Sequence, residues 1–118
     1  MQIYIEQEIK LLEQSFECLL EEEYITIRLS KNDWRQYPGI KDRAEELLHS
    51  ALVLPILVNA ISVVDDYSEF LWASRLKAAL AGKQIDQEDP LMAAQELLDS
   101  PIRRTFESVN VVLDREGE

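Results

Sequence analysis

The run Ala51–Val64, ALVLPILVNAISVV, constrains this chain most. Only Asn59 and Ser62 interrupt its apolar character. About 20 apolar residues are needed to cross a bilayer, and this run is shorter. A helix that is apolar around its circumference needs cover on every side, so it is expected at the centre of a domain or between two chains. Pro55 lies inside it. A proline there removes one backbone hydrogen bond and clashes with the preceding turn, which predicts a kink or break near residues 51–55.

A chain of 118 residues is expected to form a single domain, residues 1–118, with room for a sizeable core. The hydrophobic share of 47% outweighs a charged share of 30%, which argues against disorder. The net charge of −11 disfavours direct binding to nucleic acid or to anionic lipid, since both want Lys and Arg on the contact face. It suits a basic protein partner, or simply keeps the protein soluble. The acids are concentrated at the two ends: residues 1–23 and 84–118 each carry −6, around a middle of +1 over 24–50 and zero over 51–83. The N-terminus MQIYIEQEIK has no basic start followed by an apolar run, so a cytoplasmic location is expected. One cysteine, Cys18, permits no internal disulfide. Its acidic neighbours raise a thiol pKa, which favours a packing role over a nucleophile.

Ile5, Ile9, Leu12, Phe16, Leu19 and Leu20 recur at near-helical spacing, so the first segment reads as a helix. Residues 2–5, QIYI, offer a short strand instead. Tyr24–Ser30, YITIRLS, alternates and is β-branched, the pattern of a half-buried strand. Its partner is the N-terminal QIYI, residues 109–113 (VNVVL), or the same strand of another chain. Asn32–Gly39, NDWRQYPG, reads as a connector ending in a Pro-Gly turn. A helix is expected from Ile40 into the apolar run, with Ile40, Ala44, Leu47, Leu48 and Ala51 on one side. Asp66 and Glu69 have capping-box spacing for a helix carrying Phe70, Ala73, Leu76 and Leu80, with Gly82 at its end. Asp89–Pro90 opens a helix with Leu91, Ala94, Leu97 and Leu98 on one face, and Ser100–Pro101 opens a last one with Ile102, Phe106, Val109 and Leu113. The expected fold class is α+β, α-dominated, with four or five helices around a central apolar helix and one small antiparallel β element. An all-α bundle is the alternative.

No motif names a reaction. His49 is the only histidine, with Glu45 four residues before it, too few ligands for a zinc site. The clusters Asp65–Asp66–Glu69 and Asp86–Glu88–Asp89 lack calcium-loop spacing and sit where helix starts want acids. Three scattered glycines make no phosphate-cradling loop, and no helix pair has a basic second helix for DNA. Neither a catalytic residue, a metal nor a cofactor is therefore assigned. Trp34 and Tyr37, large aromatics beside Arg35 and Lys41, have the character of interface anchors, or else fold back as a lid over the core. Arg103 and Arg104 oppose the dipole at a helix start, which calls for an acidic side chain, an interface or an anion, unless they are merely solvated. These four are the candidate partner-binding residues. The expectation is a non-catalytic protein–protein interaction module that binds a protein partner or itself as a homo-oligomer, without direct nucleic-acid or membrane binding. An acidic decoy mimicking nucleic-acid phosphates and a small divalent-metal enzyme using the carboxylate clusters are the alternatives.

Overall fold

A computed structural model describes residues 3–7 and 16–107. Expectations for Ile9, Leu12 and residues 109–113 lie outside the described residues. The chain is α+β and helix-dominated. Strands β1 (Ile3–Gln7), β2 (Phe16–Leu19) and β3 (Ile25–Leu29) form one sheet of order β1-β3-β2. Helices α1 (Lys31–Arg43), α2 (Glu45–Leu48), α3 (Leu54–Val63), α4 (Leu71–Gly82) and α5 (Pro90–Leu97) follow. A π-helical segment, His49–Val53, joins α2 to α3, and residues 101–107 are helical.

The sheet corrects two expectations. The first segment is not one helix, because Ile3–Gln7 and Phe16–Leu19 are strands on either side of β3. Nor is the sheet purely antiparallel: β1 runs parallel to β3 and β2 antiparallel to it. The register explains why. Ile3 and Ile5 stand opposite Ile25 and Ile27, and Phe16 and Cys18 opposite Leu29 and Ile27, so the apolar side chains share the core face. On the other face Glu6 and Glu17 both stand opposite Arg28, whose guanidinium donates to Glu6 Oε1 (2.6 Å) and Glu17 Oε1 (3.4 Å). Opposite charges across a strand pair support this register.

The stretch from Glu45 to Tyr67 is one continuous helical rod of 23 residues, long and apolar enough to cross a membrane by length and composition alone. Core helices pass the same test. Its π segment answers Pro55. Proline lacks the N–H that would bond back one turn, and widening the preceding turn relieves its clash. The Leu54 N–H accordingly reaches His49 O, five residues back. The expected break is thus absorbed within the rod rather than ending it. Leu54, Ile56, Leu57, Ala60, Ile61 and Val64 are buried, against Ile25 and Ile27 of the sheet, Trp72 and Leu76 of α4 and Ala93 and Ala94 of α5. The rod is not covered on every side, however: Leu47, Ala51, Pro55, Asn59 and Ser62 are exposed at spacings of three and four. The single helix expected from Ile40 into the run is not formed: Ala44 (φ −146°, ψ 52°) breaks it before Glu45, and Ile40, Leu47 and Ala51 of its expected apolar side are exposed.

The capping box of Asp66 and Glu69 is also corrected. Residues Val64–Tyr67 form a 3₁₀ turn, and α4 begins only at Leu71 behind Phe70, which has no side-chain oxygen. Glu23, from the loop between β2 and β3, does the capping. Its Oε2 accepts from Leu71 N–H (3.0 Å) and its carbonyl from Trp72 N–H (2.9 Å). Replacing a cap by Ala typically costs about 1 kcal/mol. Glu23→Ala is therefore expected to lose about that much in urea unfolding, and Asp66→Ala much less. Equal losses would return the cap to Asp66. At the other end α4 does run to Gly82, but Gly82 is its last helical residue. The left-handed turn that closes it falls at Gln84 (φ 58°), whose follower Ile85 N–H donates to Leu80 O (2.9 Å). Asp89 Oδ1 caps α5 by accepting from Met92 N–H (3.2 Å). On α5 the buried residues are Ala93 and Ala94, which let it lie close to α3, while Leu91 is exposed.

Candidate interaction surface

The segment read as a connector is helix α1. Ser30 opens it, with Oγ accepting from Asp33 N–H (3.3 Å), and Asp33 lies in the positively polarised first turn. That start outweighs Pro38, which sits inside the helix at the loss of one hydrogen bond. Trp34 and Tyr37, one turn apart, stack at 6.2 Å with planes 14° apart, and both are half-buried against the core. They are thus part of the cover of the core as well as of its surface.

Tyr37 divides two clefts. One, of about 310 Å³, lies between α1 and the π segment, with Phe16, Leu29, Ile40, Leu48, Ala51 and Leu52 in its walls. Phe16, Ile40 and neighbouring Leu47 are exposed by 40–49%. Among the described residues, the only charged side chain lining it is Asp33. The other cleft lies toward β1 and is lined by Tyr37, Lys41, Glu45 and His49 over apolar side chains.

Arg104 is not solvated. It donates through Nη2 to Leu98 O (2.6 Å) and His49 Nδ1 (3.2 Å) and through Nε to Asp99 O (3.1 Å). The residues between α5 and the next helix need such a clasp, since Asp99 (φ 56°) and Ser100 (φ 52°) are both left-handed. The left-handed φ also departs from the extended backbone of a Ser100 N-cap, although the helix does begin at 101. Thr105 Oγ1 adds a second tie, donating to backbone carbonyls and meeting Ser50 Oγ at 2.7 Å. Arg103 is exposed elsewhere, beside Ile102 and Phe106. The four candidate residues therefore do not form one site: Trp34 stacks on Tyr37, which lines a cleft with His49, Arg104 lies behind it bonded to His49, and Arg103 stands apart.

Comparison with models of protein families, with curated proteins and with solved structures gives no match to this chain. The chemistry is accordingly read from the residues alone. Among the described residues, no group of three or more His, Cys, Asp or Glu stands close enough to hold a metal ion. Asp65 is bound by Lys77 and Gln87, and the Lys77 hydrogen bond holds its carboxyl below the usual range. Asp86 accepts from Glu88 N–H (2.9 Å) in a local turn. Cys18 is half-buried on the core face of β2, and burial pushes its thiol pKa up, away from nucleophilic chemistry. Burial is thus the physical cause, in place of the acidic neighbours. Residues overlooked by sequence reasoning are Phe16, Ile40, Leu47 and Lys41. A signal for one of them was present: Tyr37, Lys41, Glu45 and His49 recur every four residues.

Proposed function

We propose that this protein is a non-catalytic interaction module that self-associates through the groove between α1 and the π segment. The observation that carries this reading is the apolar groove with Phe16 and Ile40 exposed in its walls, and with Leu47, one residue before the lining Leu48, exposed as well. Such a cluster stands out from single exposed apolar residues, which are ordinary on any surface. Charge does not oppose a second copy at this groove. Two chains of −11 repel each other at their acidic ends, and the groove is drawn almost wholly from the near-neutral residues 24–83. A two-fold contact sets the rim of one copy into the groove of the other.

Sedimentation equilibrium at micromolar concentration is expected to give about twice the chain mass of 13.7 kDa. A single species at the chain mass overturns the proposal. The double variant Ile40→Asp with Leu47→Asp changes only exposed positions, so it is expected to stay folded and to return to the chain mass. A folded double variant that keeps the dimer mass would place the interface elsewhere.

A further inference from the structure

We infer that the cleft on the β1 side of Tyr37 binds a small apolar carboxylate. This goes beyond self-association and does not rest on it. The cleft is about 350 Å³, at the small end of the roughly 300–1,000 Å³ of small-molecule sites. Ile3 and Ile5 of β1, Leu52 and Val53 of the π segment, Leu57 of α3 and Leu98 line it with apolar surface. Four polar side chains converge on it from α1, α2 and the start of the π segment: Tyr37, Lys41, Glu45 and His49. A π-helical turn in the wall of a cleft is a recurrent feature of binding sites.

The hydrogen-bonding capacity of those four decides the ligand class. Lys41 Nζ stands 6.0 Å from the Tyr37 ring centroid and, among the described residues, has no carboxylate within ion-pair distance. Arg104 has only protons to give, so His49 Nδ1 must accept, and the imidazole proton sits on Nε2. Nε2 lies 3.8 Å from Glu45 Oε1, too long for a hydrogen bond. The cleft is thus lined by an ammonium and an imidazole N–H, with a phenol that can donate or accept, against one carboxylate, Glu45. Glu45 is 66% exposed at the outer edge, free to turn to solvent. An excess of donors over an apolar lining matches a molecule with an apolar body and one carboxylate.

Octanoate is the probe, with octanol as the uncharged control, both titrated calorimetrically into the whole chain. Saturable octanoate binding is expected, with octanol at least several-fold weaker. Lys41→Gln is expected to weaken octanoate roughly fivefold and leave octanol unchanged, as the loss of one partly exposed ion pair requires. Glu45→Gln is expected to shift octanoate the other way, toward tighter binding, because it removes the opposing charge. Both positions are exposed, so the variants retain the fold. No saturation at millimolar octanoate, equal affinity for octanol, or an unchanged affinity in Lys41→Gln overturns the inference. Calorimetry reads the ligand and sedimentation reads the mass, so this inference and the self-association reading fail separately.

Discussion

Leu57→Asp is expected to abolish cooperative folding. Leu57 is 2% exposed in the middle of α3, with Ile25, Ile27, Leu76 and Ala94 in the same core. A carboxylate there has no partner, and burying an unpaired charge costs several kcal/mol even after it takes up a proton. A domain of this size holds only about 5–15 kcal/mol in total. Leu57→Ala is the graded control, with an expected loss of about 2–5 kcal/mol set by the cavity it leaves. Asn59→Asp, two residues along and exposed, is expected to change stability by less than about 0.5 kcal/mol. Thermal and urea unfolding followed by far-ultraviolet circular dichroism read all three. A melting temperature for Leu57→Asp equal to the parent would mean that this face of the rod points to solvent.

The apolar run was legible as the centre of the fold because its composition leaves little choice. Strand β3 was legible from alternation, and the start of α5 from Asp89–Pro90. The misreadings share a cause: each depended on a partner far away in sequence. Phe16 and Leu19 fit a helical stripe equally well until Arg28, across the sheet, selects the strand by binding Glu6 and Glu17. Asp66 and Glu69 have the right spacing for a cap, but Glu23 arrives from the β2–β3 loop and fixes the helix start five residues later than Asp66. Pro38 and Gly39 suggest a turn, yet Ser30 and Asp33 start a helix that runs through both. Trp34 and Tyr37 lie on helix α1 and not in a connector, and the partners of Arg104 were not legible. Its partners are carbonyls and a ring nitrogen, which no spacing rule reveals.

Trp72→Ala is expected to cost about 3–5 kcal/mol, the usual range for deleting a buried aromatic. Trp72 is 1% exposed at the start of α4, and its ring lies 5.7 Å from that of Tyr67. It also does what an aliphatic residue cannot. The indole Nε1–H donates to Leu20 O (2.8 Å), and the backbone N–H of the same residue donates to Glu23 O (2.9 Å). One residue thus ties both ends of the loop between β2 and β3 to the helical layer. Trp72→Phe separates the two roles, since it keeps an aromatic ring but leaves the Leu20 carbonyl unpaired. Its expected cost is about 1–3 kcal/mol, from the lost hydrogen bond to a part-buried carbonyl together with the smaller ring left in the core. The loss should also be local. Amide hydrogen exchange in Trp72→Phe is expected to quicken first in β2 and the loop, with α3 and α5 following only at the level of global unfolding. Uniform acceleration across the whole chain would show that the ring's packing, and not its hydrogen bond, holds the sheet to the helices.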